Sequence, residues 1–596
     1  MSRSLGSRKS EPIRRLSATK RRRDLPLALL SSAVATAVAM VLQNVVRDTW
    51  QVRTLPERVM EWLLVFVPLD LFERGLRQLG PDAKEVALDG TIGGMAVVLL
   101  VVGALAVRAG WSGWRLLGLG GALWLVAMAV VMPLTGAGFF AVGLLVSPLL
   151  TAAGFLVVFL GYASVLVAGA GLAQRTSPFT RSVGPERRAL LAGLAGTAVA
   201  YGAARLVGRA GGAATSSLPL AAAPTQPAAA PSPPPTATAK PLAQSSVAPP
   251  STPAPTAAPL PTATPDAFPT PQAVRRVDRD QAGSLTAAGR SPGALSPAIT
   301  DTSNFYVVTK NAVADPVLDA NSWRLVIAGE VANPVQIDYR TLRLLPPVQV
   351  TKTLECISNF TDGCEMASYG CDLISTARWT GARLSDVLDL AGGLKPSVVS
   401  LAFLATDEFS AGLPAEAASD PDTLVVYAMN DQVLPREHGY PARLLVPGRY
   451  GMKNPKWLAS IRALDQQYVD WYEQRSWNRD GVVKTMGRID VPVNGATLAA
   501  GQQRIAGIAY AGNRGVAKVE FSADGGQTWQ MARFLEPAPG NDAMVRWEGT
   551  FTVAPGTTAN LVERVTDGTG TVQPDDFSLP QPDGASGRHS IDVHAG

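Results

Sequence analysis

The sequence predicts a multi-domain protein with an α-helical membrane domain, a Pro-rich linker, an α+β domain and a C-terminal β-sandwich. Three observations support this fold class. The chain has 596 residues, which is too many for one hydrophobic core. Hydrophobic residues make up 47% of it and charged residues only 17%, a balance that indicates a membrane portion. Of its 46 prolines, 17 fall between Pro219 and Pro271, where they separate an apolar half from a half of mixed composition.

The basic excess lies in an N-terminal tail, residues 1–24. The net charge of the chain is only +5, and the tail stands directly before an apolar segment. Basic residues beside a membrane helix mark its cytoplasmic end. No basic stripe interleaved with aromatic residues accompanies them, so we predict a cytoplasmic tail and no nucleic-acid partner.

The membrane domain is predicted over residues 25–208. Apolar runs close to the roughly 20 residues of a spanning helix occur at 25–46, 90–107, 116–133, 148–172 and 189–207. With the basic tail inside, five spans place the second half of the chain outside, and arginines in the predicted inner loops agree. The expected location is the cell membrane, multi-pass, with the later domains on the extracytoplasmic side.

Two features of this region each allow two interpretations. The segment 55–79 mixes Arg and Glu with large apolar residues, as an interfacial amphipathic helix or an ordinary soluble helix does. The pair Arg187 and Arg188 precedes a moderately apolar stretch. That pattern fits a retained twin-arginine export signal as well as plain inner-loop arginines.

Residues 209–298 are predicted to be a linker. Between Pro219 and Pro271 the prolines are mixed with Ala, Thr and Ser, and only Lys240 and Asp266 carry a charge. Such a segment cannot bury a core and stays extended. At roughly 3.1 Å per residue it reaches more than about 100 Å, which predicts a working domain held at the membrane but free of the helices.

After the linker the sequence changes to short strand-like runs separated by turn residues. Examples are 323–327, 424–427 and 443–446, and a helix is predicted at about 383–392. These patterns predict an α+β domain over residues 299–477. Residues 478–596 hold β runs with Gly and Asp turns and little helical periodicity, which predicts a β-sandwich of about 100 residues.

The cysteines stand close together. Cys356, Cys364 and Cys371 fall within sixteen residues, and all three histidines follow residue 437. This distribution excludes a Cys/His-rich zinc module, and it excludes bis-His haem in the membrane helices. Cys364 and Cys371 are either a disulfide or free thiols. Cys356 is a small buried hydrophobe, a metal ligand, or a nucleophile paired with His438.

A second chemical cluster lies between residues 438 and 457. It combines His438, Arg443, Lys453 and Lys456 with glycines and prolines that form tight loops. Such loops present backbone N–H groups and cations to an anion, most naturally a phosphate. The cluster therefore predicts an anion site.

Several motifs, in this order, resemble the sulfite oxidase family of molybdopterin enzymes over residues 300–477. The motifs are Leu354–Asn359, Trp379–Ala382, Met429–Gln432, His438–Pro441 and Lys456–Trp457. Residues 486–596 resemble the second, immunoglobulin-like domain of that family, which mediates dimerisation. The resemblance implies a sulfite-oxidase-type molybdopterin domain, an immunoglobulin-like β-sandwich and a homodimer formed through it.

The resemblance also implies molybdenum carried by molybdopterin as the cofactor, with Cys356 as the thiolate ligand of the metal. A soft thiolate suits this metal. The residues that the resemblance places at the pterin and its phosphate are Tyr306, Asn311, Thr406, His438, Arg443, Lys453, Asn454 and Lys456.

Three departures from the family pattern bear on the substrate. The family's Arg-Asn-His stretch is replaced by Tyr306–Asn311, which leaves Lys310 as the cation there. Phe360 stands where the family has an arginine, and the family's active-site tyrosine falls near Trp477. Lys310 and Trp477 are therefore the predicted catalytic residues beside Cys356, and sulfite is disfavoured as substrate.

The predicted function is that of a membrane-anchored molybdopterin-dependent oxidoreductase performing two-electron oxygen-atom transfer on a small S- or N-oxide. The alternative is a non-catalytic tethered extracellular binding protein with a degenerate molybdopterin fold. The sequence holds no haem-binding C-x-x-C-H motif. The expected partners are therefore a small-molecule substrate, the membrane, and a separate electron carrier or redox subunit.

Overall fold

The computed structural model describes residues 11–67, 83–111, 113–144, 147–175, 268, 271, 293–311, 315–364 and 370–596. The part before residue 176 is helical, and the part after residue 292 is built mainly from β-sheets. The helices of the first part are α1 (Glu11–Trp50), α2 (Leu55–Leu64), α3 (Ala83–Arg108), α4 (Gly113–Val126) and α5 (Pro148–Arg175).

Four of these helices contain an apolar stretch long enough to cross a membrane. The stretches are Ala28–Trp50, Val86–Arg108, Gly113–Leu134 and Pro148–Gly171. α4 reaches that length because a π-helical turn and a short helical turn continue it to Leu134. These helices coincide with four of the five predicted spans. The fifth, 189–207, lies outside the described residues, as do Arg187, Arg188 and nearly all of the linker.

Small residues and satisfied hydroxyls hold this helical bundle together. Gly120 on α4 lies against α5, where a Cβ atom would come within 2.7 Å of the carbonyl oxygen of Phe159. Ser32 on α1 donates to the carbonyl oxygen of Leu100 on α3 at 2.7 Å. A buried hydroxyl needs such a partner, above all where water is excluded.

α2 is a short amphipathic helix between the first two apolar helices. Its start is fixed by a capping box, because Thr54 N donates to Glu57 Oε2 at 2.8 Å and Glu57 N donates to Thr54 Oγ1 at 3.4 Å. Leu55 is buried in the core of the bundle, whereas Phe66, just beyond the helix, is exposed. The helix predicted in segment 55–79 is confirmed over Leu55–Leu64, and residues 68–79 lie outside the described part.

In its described residues, the α+β domain contains two sheets and two short α-helices. One sheet has the strand order β2-β1-β10-β5-β6, and the other has the order β3-β4-β7-β8 with β9 paired to β7. The strands are β1 (Arg324–Gly329), β2 (Val335–Asp338), β3 (Val348–Glu355), β4 (Ile374–Arg383), β5 (Ser400–Ala405), β6 (Ser410–Pro414), β7 (Leu424–Met429), β8 (Gln432–Val433), β9 (Arg443–Leu445) and β10 (Leu458–Leu464). The helices are α6 (Tyr339–Leu344) and α7 (Leu384–Asp389).

α7 is shorter than the helix predicted at 383–392. Gly392 and Gly393 follow it with φ angles of 75° and 81°. Glycine adopts this left-handed conformation readily and ends helices for that reason. The position of the helix is therefore confirmed, and its last residues form a turn.

The C-terminal domain is a β-sandwich. Its sheets have the orders β11-β13-β17-β16 and β12-β19-β18-β14-β15. Phe521 and Trp547, one from each sheet, stack in the core with ring centroids 6.5 Å apart. The strands are β11 (Met486–Val491), β12 (Ala496–Leu498), β13 (Gly501–Tyr510), β14 (Val516–Ser522), β15 (Gln530–Met531), β16 (Arg533–Phe534), β17 (Val545–Val553), β18 (Thr558–Asp567) and β19 (Ser590–Ala595).

The β-sandwich supports strand β3 of the α+β domain from outside. Tyr510 donates to the carbonyl oxygen of Thr353 at 3.0 Å, and Lys352 forms a 2.7 Å ion pair with Asp542. Both Lys352 and Thr353 are buried. β3 ends one residue before Cys356, so these contacts fix the strand that carries the thiol.

The membrane-side helix α2 contacts the α+β domain directly. Arg58 Nη1 donates to Glu408 Oε2 at 2.9 Å, and Arg475 Nη2 donates to the carbonyl oxygen of Glu61 at 3.4 Å. The expectation of a working domain free of the helices is therefore wrong for this structure. The composition of the predicted linker determines how far the domain can move, whereas the contacts with α2 determine its position in this structure.

Candidate active site

A pocket opens beside Cys356 in the α+β domain. Its lining residues fall within 305–310, 354–356, 407–409, 438–457 and at Tyr472. Seven of the eleven predicted site residues line it, namely Tyr306, Lys310, Cys356, His438, Arg443, Asn454 and Lys456. The fold thus gathers residues from five separate stretches of chain, while the role of each stays a prediction.

A tight turn at the end of β3 holds Cys356. Its backbone N–H donates to the carbonyl oxygen of Leu373 at 2.9 Å, and Asn359 N donates to the carbonyl oxygen of Cys356 at 2.9 Å. Of the three cysteines, all of which the structure describes, Cys364 and Cys371 form a disulfide and Cys356 is free and buried. Burial raises the pKa of its thiol, and a bound metal cation would favour the thiolate.

Asn359 and Glu355 brace this turn. The amide of Asn359 donates to Glu355 Oε1 at 2.9 Å and accepts from Leu373 N at 2.9 Å. Burial raises the pKa of the Glu355 carboxyl to about 8. The carboxyl next to the thiol is therefore neutral at pH 7, so it places no negative charge beside a thiolate.

His438 and Arg443 carry buried polar atoms without partners. Among the described residues, neither His438 Nε2 nor Arg443 Nε has a hydrogen-bond partner. Arg443 uses its other nitrogens on the carbonyl oxygens of His438, at 3.2 Å, and Asn454, at 2.9 Å. Burial lowers the pKa of Arg443 to about 10, which leaves it charged. Burial, with the charges of Lys456 and Arg443, holds the pKa of His438 well below its usual range, so its ring is neutral.

Lys456 and Asn454 shape the same wall. Lys456 Nζ donates to the carbonyl oxygens of Glu437, at 2.9 Å, and Val308, at 3.1 Å. Burial lowers the pKa of this ammonium to about 8, so it is largely charged at pH 7. The side chain of Asn454 accepts from Val446 N at 2.7 Å, which makes it a brace for the loop. Lys456 is therefore a second cation in the pocket lining, beside Arg443.

Four predicted site residues do not line the pocket. Lys453 is fully buried in an ion pair with Asp470. Thr406 Oγ1 donates to the carbonyl oxygen of Trp457 at 3.2 Å. The amide of Asn311 donates to Asp315 and Asp407, both at 3.1 Å. Trp477 packs edge-on against Tyr472 with ring centroids 5.8 Å apart. Each of them supports a residue or loop of the pocket from behind.

Near Trp477, where the resemblance places the family's active-site tyrosine, the residue that lines the pocket is Tyr472. Tyr472 lines the pocket with Asp407 and Phe409, neither of which was predicted. Burial raises the pKa of Tyr472, and the neighbouring Cys356 thiolate raises it further. The aromatic stretch 468–477 was the signal available in the sequence, but spacing alone could not tell which ring faces Cys356. Phe360, which stands where the family has an arginine, does not belong to the described lining.

Lys310 lies at the pocket but is not a free cation. Its ammonium is 3.3 Å from Glu61 Oε1, and its side chain is only 5% exposed. The partner comes from α2, in the membrane-side part of the chain. The cation that the sequence offered for anion binding is thus already paired.

Two domain families match this chain. Residues 312–472 match the oxidoreductase molybdopterin binding domain, and residues 482–579 match the Mo-co oxidoreductase dimerisation domain. The sulfite oxidase of Gallus gallus is 31% identical over 312 residues, which cover 46% of this chain and 68% of that protein. The mitochondrial sulfite oxidase of Macaca fascicularis is 32% identical over 266 residues, 39% of this chain and 49% of that protein. The NADH nitrate reductase of Ulva prolifera is 29% identical over 296 residues, 42% of this chain and 34% of that protein.

A molybdopterin-binding domain followed by its dimerisation domain defines the class of molybdenum-cofactor oxidoreductases. Within that class, the chain belongs to the sulfite oxidase family. It spans about half the length of the mammalian relatives that it matches. Membership implies molybdenum bound by molybdopterin as the cofactor, and the second domain indicates a homodimer.

The pocket fits this cofactor on its own chemistry. It offers one free thiol, Cys356, as a soft metal ligand. Arg443 is a buried cation for which no ion pair is found in the described residues, and the unpartnered atoms of His438 and Arg443 border the same pocket. A pterin with its phosphate would supply the hydrogen bonds and the negative charge that these groups need.

Proposed function

We propose that this protein is a membrane-anchored molybdopterin-dependent oxidoreductase that performs two-electron oxygen-atom transfer on a small S- or N-oxide. The observation that carries the proposal is the free Cys356 thiol in a pocket with unpartnered buried atoms on His438 and Arg443. When bound, the cofactor supplies the two-electron redox chemistry and the oxygen-atom transfer.

The residues of the chain would hold and orient the cofactor. Cys356 would ligate the metal, while Arg443 and Lys456 would neutralise the phosphate and His438 would hydrogen-bond the pterin. The neutral Glu355 leaves the thiolate without a repelling charge. The side chain of Asn454, anchored on Val446 N, would keep the loop in place around the cofactor.

The charges at the pocket favour a substrate without net charge. A small dianion is tolerated in a buried site only when cations pair with it. Lys310 is already paired with Glu61, and Asp407 adds a carboxylate to the lining. Burial raises the pKa of both Tyr306 and Tyr472, so their phenols stay protonated and can donate to the oxygen of a neutral oxide.

The membrane part of the proposal rests on four apolar helices and on α2. Helices of 22 to 24 residues are long enough to span the hydrocarbon core.

The relatives include both sulfite oxidases and a nitrate reductase, so family membership is compatible with either direction of oxygen transfer.

Steady-state assays on the purified full-length protein test this proposal. Molybdenum content near one per chain is expected, together with reduction of dimethyl sulfoxide or trimethylamine N-oxide by a reduced viologen dye. Protein from cells grown on tungstate is the control and should be inactive. Sulfite oxidation with a micromolar KM and no oxide reduction would contradict the substrate, and a molybdenum-free protein would favour a binding function.

A further inference from the structure

A residue of the membrane-side helix α2 contacts Lys310 in the pocket lining. Glu61 lies 249 positions before Lys310 in the chain, yet its carboxylate is 3.3 Å from the Lys310 ammonium. The two side chains are only 13% and 5% exposed. Since Lys310 lines the pocket, its pairing decides how much positive charge a ligand meets there.

Other contacts hold Glu61 in this position. Arg53 forms a second ion pair with its carboxylate, and Arg475 Nη2 donates to its carbonyl oxygen at 3.4 Å. Arg58, one turn earlier on α2, is bound to Glu408, the neighbour of the pocket residue Asp407. Several contacts thus hold α2 against the pocket.

Glu61 is ionised in this setting. Burial alone would raise the pKa of its carboxyl, but the charges of Lys310 and Arg53 outweigh burial and hold the pKa below its usual range. An ionised Glu61 compensates the Lys310 charge at any pH near neutrality.

We propose that Glu61 is a specificity-determining residue, which neutralises Lys310 in the pocket lining and thereby discriminates against small dianions in favour of neutral substrates. The proposal rests on the proposed function, because it concerns the substrate charge accepted by the same pocket. In this proposal a helix outside the two family-matched domains selects the substrate, because a charge on α2 sets the net charge of the pocket lining.

The physical reason is the balance of charge. Without the Glu61 charge, the positive charges of Lys310 and Arg53 lose the carboxylate that they share. The nearest remaining carboxylate to Arg53 is that of Glu408, at 3.8 Å. A dianion then gains Coulomb attraction that a neutral oxide does not. Removal of Glu61 should therefore change dianion affinity far more than oxide affinity.

Sulfate, an inert dianion, is the probe. Titration calorimetry on the molybdenum-loaded full-length protein should show that Glu61→Gln binds sulfate about tenfold more tightly than the wild type. In the double variant Glu61→Gln with Lys310→Met the gain should disappear. Glu57→Gln is the matched control, because Glu57 lies on the same helix but pairs with Arg47 at 3.1 Å, away from the pocket lining.

Equal sulfate affinity in the wild type and Glu61→Gln overturns the proposal, and so does a gain that survives in the double variant. Lys310→Met alone should weaken sulfate binding, because it leaves the Glu61 carboxylate without its partner, and an unchanged affinity there overturns the proposal even if Glu61→Gln does not fold. Sulfate binding needs no turnover. Failure of oxide reduction therefore refutes the proposed function, whereas unchanged sulfate affinity in an enzyme that reduces oxides refutes only the role of Glu61.

Discussion

Two buried polar atoms, on His438 and Arg443, destabilise the folded pocket when its cofactor is absent. His438 Nε2 and Arg443 Nε have no partners among the described residues. Each unsatisfied buried polar group costs about 1–3 kcal/mol, and more when it is charged. A bound anion supplies the partners, and a ligand that binds only the folded state stabilises it. Cofactor binding and stability are therefore linked through these two side chains.

Cys356→Ser should abolish activity while the fold and much of the bound pterin survive. The substitution removes the soft metal ligand and leaves Arg443, Lys456 and the loops around them intact. Turnover, molybdenum content and pterin content measured on the same preparation check this. Full activity in the serine variant would refute the assignment of Cys356 as the metal ligand.

Lys456→Ala should instead lower cofactor occupancy. A charge-assisted hydrogen bond to phosphate contributes about 1.5–3 kcal/mol, so occupancy should fall at limiting cofactor. Pterin content per chain is the measurement. Lys395→Ala is the control, because Lys395 is an exposed lysine paired with Glu330 at 3.2 Å. Equal pterin content in both variants would contradict the role of Lys456.

At the residue scale, ordered motifs in the sequence predicted seven of the residues that line the pocket. Its errors have a geometric origin. The spacing could not show that Lys453 turns inward to Asp470, nor that Tyr472 and not Trp477 faces Cys356. Glu61 was beyond sequence reasoning altogether, because its partner is far away in the chain and no periodic pattern connects the two.

At the element scale, predictability followed the strength of local patterns. β1, β7 and β9 were found where short apolar runs predicted them, since such runs suit buried strands. Four of the five predicted spans were also found, although α1 extends from Glu11 to Trp50 because polar flanking residues continue the helix. The pattern of α2 revealed an amphipathic helix, but amphipathicity does not name the surface that a helix packs against.

At the scale of the whole molecule, the predicted linker and the contacts of the α+β domain with α2 have different effects on where that domain lies. A linker of this composition permits many placements of the α+β domain. The contacts of Arg58 with Glu408 and of Glu61 with Lys310 select one of them. This placement puts the pocket beside α2, a relation that composition and domain order could not reveal.

The docking also constrains the membrane topology. α2 lies in the loop between α1 and α3, the first two apolar helices of the described chain. The predicted topology, with the basic tail inside, places that loop outside. The α+β domain contacts α2, so we expect it on the same side. Four spans would return the chain to the inside, and the predicted fifth span, 189–207, restores the outer side.

A reporter fusion after Pro271 tests this topology. Alkaline phosphatase, which is active only outside the cytoplasm, should be active when fused there, whereas a reporter that requires the cytoplasm should be inactive at the same position. A fusion within the basic tail, before residue 24, should give the opposite pair of results and serves as the control. An inactive phosphatase after Pro271, with the tail inside, would mean an even number of spans. In that case α2 and the α+β domain of one chain would lie on opposite sides of the membrane and could not meet.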